Sequence, residues 1–177
     1  PEYKTPVKVK DKVAVVGGGN VAMDAARTAR RLGAEKVYIV YRRAEEQMPG
    51  RDEEIEHAKE EGVIFKLLNN PVAIHGKDGM VDKMECVQME LGEKDSSGRR
   101  RPIPIEDSNW MLDLDTVIIA IGQSPNPMLT KNTKDLETES WGGIITDEDL
   151  KTSREGVYAG GDVVTGAATV IKAMGAG

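Results

Sequence analysis

Apolar positions along the chain come first as short runs, alternating with stretches where they recur three and four apart. Residues 13–16 (Val-Ala-Val-Val) are a continuous apolar run that predicts a buried strand. Three glycines follow, Gly17 to Gly19. Val21, Ala22, Ala25, Ala26, Ala29 and Leu32 then recur at helical spacing and predict one apolar face, with Arg27, Arg30 and Arg31 largely off it. Gly33 ends this helix as a C-cap. Residues 36–41 predict a second strand, residues 51–61 a second helix closed by Gly62, and residues 63–68 a third strand. The order β-α-β-α-β is the mononucleotide-binding half of a doubly wound sheet.

The pattern then changes. Residues 71–75 and 80–91 are strand-like and joined by the turn Gly76-Lys77-Asp78-Gly79. A polar loop, residues 92–101, leads to a short strand at 102–105. This predicts an antiparallel meander in the place of a crossover helix. Residues 115–121 are continuously apolar after Asp115, which suits a central parallel strand. That run ends at Gly122, in a loop at a carboxyl strand edge. Residues 131–140 are polar and expected to be exposed, and residues 143–146 and 156–160 predict two short strands. Residues 1–10, with Pro1 and Pro6, read as an entry linker.

Composition narrows the class. The chain has 177 residues, 39% apolar and 31% charged, with a net charge of −6. That fits an ordinary soluble domain and argues against a nucleic-acid partner. No apolar run reaches the ~18 residues of a membrane span, and no signal-peptide pattern is present. The single cysteine, Cys86, excludes a disulfide and an all-cysteine metal site within the chain. These features fit the cytoplasm. The chain begins at Pro1 without methionine, and its last residues fall inside a helix-like segment. Both ends read as cuts in a longer polypeptide.

The candidate chemistry lies at the glycine turn. Gly17-x-Gly19-x-x-Ala22 fits the dinucleotide fingerprint, with alanine in its third place. Gly17, Gly18, Gly19, Asn20 and Val21 would bring backbone amides and a helix start to a pyrophosphate. In NAD-binding units an acidic residue ~20 positions on accepts bonds from the ribose 2′-hydroxyl. Here that place holds Arg42 and Arg43. Two guanidiniums suit a 2′-phosphate and favour NADP(H) over NAD(H). The competing reading makes them solvated loop residues paired with Glu45 and Glu46. Arg51 either assists or only opens the second helix.

The other reactive side chains point to no chemistry. His57 sits among glutamates on a solvated helix face, and His75 has no obvious carboxylate or cysteine partner. Met84, Cys86 and Met89 suit packing. Trp110 and Trp141 are too isolated for a stacking platform. No metal site and no nucleophile–base pair can be assembled. Hydride transfer from a nicotinamide fits this absence, because the cofactors carry the reaction.

Val15-Val-Gly-Gly-Gly-Asn-Val-Ala-Met-Asp24, Val40-Tyr-Arg-Arg43 and Met48-Pro-Gly50 resemble the small (beta) subunit of NADPH-dependent glutamate synthase. They equally resemble the flavoprotein subunit of NADH-dependent ferredoxin:NADP oxidoreductase. Asp115-Thr-Val-Ile-Ile-Ala-Ile-Gly122 and Thr152-Ser-Arg-Glu-Gly-Val-Tyr-Ala-Gly-Gly-Asp162 fit the same group. The resemblance implies a flavoprotein in which one domain binds FAD and an inserted domain binds the nicotinamide nucleotide. Cysteine-ligated iron–sulfur clusters would pass electrons on, to a larger synthase or a ferredoxin-type subunit. It assigns Asp162 to the ribityl chain of FAD, and the glycines beside it, Gly161 among them, to the pyrophosphate. A helix opened by residues 167–171 would lie near the flavin. The chain departs from the group in having no cysteine-rich segment and only one glycine fingerprint. Alone, Asp162 therefore reads as a loop carboxylate.

The expected fold is a Rossmann-like, three-layer α/β nucleotide-binding domain, with a parallel sheet, helices on its faces and a β-meander crossover. Residues 11–150 would form the NADP(H)-binding domain, and residues 151–177 a piece of an FAD-binding domain. The expected function is hydride transfer between NADPH and FAD in a longer parent enzyme. Two rivals stand beside it. A non-catalytic nucleotide-binding or interaction module would also explain a lone fingerprint. An adenosylmethionine-dependent methyltransferase would share the glycine turn, but Arg42 and Arg43 stand where that class needs an acidic residue.

Overall fold

The computed structural model describes residues 9–94 and 98–176. The expected linker, residues 1–10, lies outside these up to residue 8. The chain divides into two compact units, residues 1–121 and 122–177. The second unit begins well before residue 150, where the sequence reading changes domain, because residues 122–150 make their bridges with one another and with 151–158.

The first unit is built on a parallel sheet in the order β3-β2-β1-β8. Its strands are β1 (Lys12–Val16), β2 (Lys36–Tyr41), β3 (Ile64–Leu67) and β8 (Thr116–Ile119). The expected β-α-β-α-β order holds, with α1 spanning Asn20–Arg31 and α2 Asp52–Glu60. Alternation in β1 and β2 divides the core in two. Val13, Val15, Val37 and Ile39 face the helices and pack on Ala22, Met23, Ala26 and Ala29 of α1 and on Ile55 and Ala58 of α2. Ala14, Val16 and Val40 face the other way, onto Met84, Cys86, Leu112 and Leu114.

The second face is therefore covered by the meander. Among the described residues of this unit, helices lie on one face only, which corrects the expectation of helices on both. The meander contains β4 (Asn69–Lys77), β5 (Met80–Lys94), β6 (Arg100–Pro104) and β7 (Trp110–Asp113). The long β5 is its spine, pairing with β4 and β7 along its first half and with β6 along its second. The β4–β5 turn is tighter than expected. Asp78 and Gly79, both with positive φ, form a two-residue tip, the backbone of a type I′ turn. Strand β7 has no counterpart among the sequence-based elements. In four residues the alternation is too short to read, and pairing with β5 supplies the order.

Further differences from the expected elements appear on packing. Val21 and Leu32 are exposed while Met23 is fully buried, so the buried face of α1 is rotated from the expected one. Among the described residues strand β8 pairs only with β1 and is an edge rather than a central strand. Asp115 fixes its start, accepting from the Lys12 amide at 2.9 Å and donating its own amide to the Lys12 carbonyl at 2.8 Å. In the second unit the two expected strands are reduced to isolated β-bridges, at Ile144 and Thr146 and at Tyr158. An unexpected helix α3 spans Pro127–Asn132, and Asn126 Oδ1 caps it by accepting from the Met128 amide. The short helices α4 (Asp162–Thr165) and α5 (Val170–Gly175) complete this unit.

The arginines of α1 hold α2. Arg27 pairs with both Glu54 and Glu61, and Arg31 also bonds Glu61. Arg30 donates to the carbonyls of Ala34, Glu35 and Glu61. Hydrogen bonds from Arg31 and Arg27 hold the Glu61 carboxyl below the usual carboxylate range. Its contribution to stability is present above the unfolded-state pKa and is lost as pH falls through the lowered folded value. Glu61→Gln is expected to reduce stability at neutral pH and to flatten its acid dependence, measured by urea unfolding between pH 7 and pH 3. An unchanged acid limb would refute the assignment.

Candidate nucleotide site

The site forms where β1 ends. Gly17 has φ of +145°, and its amide donates to the Val40 carbonyl at 3.0 Å. A Cβ there would overlap the Ala120 carbonyl. A side chain at Gly18 would meet the Tyr41 ring at 2.8 Å. Both glycines are thus required by neighbouring backbone and ring atoms. Gly19 is the N-cap of α1, and its carbonyl accepts from Ala22 and Met23. No side chain caps this helix and its first turn carries no acidic residue. The helix start therefore keeps the partial positive charge that attracts a phosphate. Asn20 and Val21 are exposed at this end.

The loop after β2 straps the turn. The Gly50 amide donates to the Gly18 carbonyl at 3.1 Å, and the Arg51 amide donates to Asn20 Oδ1 at 2.8 Å. The Asn20 side chain thus joins the starts of α1 and α2. Tyr41 closes the arrangement by donating its hydroxyl to the Gln47 carbonyl at 2.7 Å.

Arg42 and Arg43 line a cleft of about 650 Å³ beyond β2, together with Glu93, Lys94, Arg101, Pro102 and Ile103. The two arginines are not equivalent. Arg42 is exposed. Arg43 is 6% exposed, and its Nε donates to the Arg100 carbonyl at 2.9 Å. Glycine turn and cleft follow parallel strands β1 and β2, so both lie on the carboxyl edge of the sheet. Lys94 and Arg101 were not singled out in the sequence. The cluster Arg99-Arg100-Arg101 is the signal that could have drawn attention to them.

The remaining candidates belong to the second unit. Gly122 has φ of +92°, and no neighbouring atom lies where its Cβ would be. Gly161 (φ +69°) precedes α4, and Asp162 is exposed, with Oδ1 accepting from the Ala168 amide at 3.2 Å. Asp162 therefore fastens the loop that follows its own helix.

His75 does have a carboxylate partner, which corrects the sequence reading. Its Nε2 lies 3.4 Å from Glu85 Oε2 across the β4–β5 pair. Asn109 donates to the other Glu85 oxygen, and these two contacts lower the Glu85 pKa. Cys86 is fully buried, and desolvation together with Glu85 pushes its thiol up to about 11. His57 is exposed on α2. Trp110 donates Nε1 to Asn69 Oδ1, with Lys66 5.5 Å from its ring centre. Among the described residues, no His, Cys, Asp and Glu group could hold a metal ion, and no helix is long and apolar enough to cross a membrane.

A family model described as pyridine nucleotide-disulphide oxidoreductase matches residues 3–177. The chain is 47% identical over 166 residues to the NADP(+)-dependent formate dehydrogenase subunit beta of Moorella thermoacetica, covering 93% of this chain and 23% of that protein. It is 40% identical over 171 residues to the glutamate synthase (NADPH) small chain of Escherichia coli, covering 94% and 36%. With the NADPH-Fe(3+) oxidoreductase subunit beta of Geobacter sulfurreducens it shares 38% over 192 residues, covering 96% and 29%. The chain thus spans about a quarter to a third of the length of these curated relatives. In fold it is similar to T. acidophilum thioredoxin reductase, with a TM-score of 0.72 at 23% identity over 92% of this chain and 48% of that one. Mycobacterium tuberculosis FprA in complex with NADPH gives 0.71 at 20% identity, over 92% and 49%.

Gly17→Ala tests the turn. The added methyl meets the Ala120 carbonyl in a backbone conformation alanine disfavours. A stability loss of roughly 1–3 kcal/mol is expected, read from urea unfolding. A change within a few tenths of a kcal/mol would show that the turn relaxes freely.

Proposed function

The chain belongs to the pyridine nucleotide-disulphide oxidoreductase family, and we propose that it carries the NADP(H)-binding domain of a flavin-dependent oxidoreductase. One observation carries this reading. An uncapped helix start behind a glycine turn and a cationic cleft beyond β2 share one carboxyl edge of a parallel sheet. The first suits a pyrophosphate and the second a ribose 2′-phosphate. The names of the three relatives, each containing NADP(+) or NADPH, support the same nucleotide.

In this reading the amides around Gly18, Gly19, Asn20 and Val21 hold the pyrophosphate. Gly17 and Gly18 let the backbone come close. Arg42 offers its planar fork to the 2′-phosphate. Arg43 lines the same cleft and, through its Nε, ties β2 to β6. No side chain of this unit is assigned a proton-transfer or nucleophilic role. Hydride exchange between nicotinamide C4 and flavin N5 is the chemistry that the two cofactors supply when bound.

The rest of the proposal concerns the whole protein. Gly122, Gly161 and Asp162, with residues 151–177, belong to its FAD-binding domain. The remainder of that domain and an iron–sulfur region lie outside this chain, and onward transfer of single electrons runs through those clusters. A larger synthase or a ferredoxin-type subunit receives them, in the cytoplasm. Neither nucleic acid nor membrane takes part.

Arg42→Ala tests the nucleotide assignment, because Arg42 is exposed whereas Arg43 also supports the fold. Removing one charge-assisted contact of roughly 1.5–3 kcal/mol weakens binding about ten- to a hundredfold. NADPH affinity is expected to fall by that factor and NADH affinity to change little, measured by calorimetry. Equal effects on both nucleotides, or none, would overturn the assignment.

A further inference from the structure

The cleft beyond β2 has a second source of positive charge. Lys94 and Arg101 reach it from the β5–β6 hairpin, about fifty residues further along the chain. The hairpin's backbone explains how. Its register slips between Leu91 and Lys94, and a bulge of this kind re-aims side chains. Glu93 and Lys94 consequently both line the cleft, where regular alternation would turn one of them away.

The hairpin is also fastened in place. Arg43 Nε donates to the Arg100 carbonyl. The Arg100 guanidinium turns back on the hairpin and donates to the carbonyls of Leu91 and Gly92. A side chain at Gly92 would run into Ile103 across the strand pair. Arg100 thus serves the scaffold, and its neighbour Arg101 lines the cleft.

Among the described residues, four cations and one carboxylate line the cleft, a net charge of three positive on a chain of net charge −6. A phosphate monoester carries about −1.5 to −2 near neutral pH. We infer that Lys94 and Arg101 are specificity-determining residues that bind the 2′-phosphate together with Arg42. The inference rests on the NADP(H) reading above. It makes the preference for NADP(H) a joint property of β2 and the meander hairpin.

Calorimetric titration of NADPH and NADH into the purified protein and its Arg42→Ala, Lys94→Ala, Arg101→Ala and Arg101→Lys variants tests it. Lys94→Ala and Arg101→Ala are each expected to weaken NADPH about tenfold and to leave NADH within about twofold, while Arg101→Lys keeps most of the preference. Thermal melts show whether each variant keeps its fold. If Arg42→Ala alone lowers the NADPH preference, the hairpin inference is overturned and the NADP(H) reading stands. Equal weakening of both nucleotides by the hairpin variants also overturns the inference. If no variant changes the preference, Arg42→Ala included, the NADP(H) reading fails and the inference with it.

Discussion

The close approach of backbone at Gly17 is the constraint on which the first unit depends. Its amide bonds to the Val40 carbonyl of β2, and the Ala120 carbonyl at the end of β8 occupies the space a side chain would need. Three strand ends therefore converge on one residue that has no side chain. The chain can leave β1 and enter α1 within three residues, and Ala22, Ala26 and Ala29 let that helix lie close on the sheet. The same compactness puts Gly18 against the Tyr41 ring and brings Gly50 within bonding distance of the Gly18 carbonyl. The helix start and the exit of β2 are held as one assembly. In the proposed reading, a nucleotide spanning the two would meet groups already in position, which lowers the ordering cost of binding.

Replacing a crossover helix by a meander has a chemical consequence. The layer between sheet and meander is filled by Ala14, Val16 and Val40 from the sheet and Met84, Cys86, Leu112 and Leu114 from the meander side. The meander also places a hairpin beside the carboxyl end of β2, with Arg43 bonded across to Arg100. The cationic cleft arises from this contact. Its charge comes from two segments far apart in sequence, each of which alone reads as a short run of arginines. The two clamps on the fold, Arg27 with Glu61 and Arg43 with Arg100, also differ in kind. The first is a partly exposed ion pair screened by solvent. The second puts a buried cation on a backbone carbonyl, away from solvent screening.

Local regularity made much of this legible. The β-α-β-α-β order, the bounds of β2 and the glycine turn follow from runs of apolar residues and from the few residues that tolerate positive φ. The meander was legible because Asp78-Gly79 punctuates two strand-like stretches, although the tip proved tighter than expected. The α3 cap has a local signal, Asn126 followed by Pro127 at the first helical position. Strand β7 was not legible, because four residues carry no period. The edge position of β8 was not legible either, because an apolar run reports burial and not the number of neighbouring strands.

For the site, the order of residues alone gave the glycine turn and placed Arg42 and Arg43 after β2, since both follow from positions within one β-α-β unit. It could not distinguish exposed Arg42 from buried Arg43, or a free Asn20 side chain from one that joins two helix starts. Nor could it bring Lys94 and Arg101 to the same cleft. These depend on a register slip and on bonds between segments up to fifty-seven residues apart, and long-range pairing leaves no local trace in a sequence. In the proposed site, the chain's own pattern thus dictates where a pyrophosphate would meet backbone amides. The packing of the meander dictates which cations would face the 2′-phosphate.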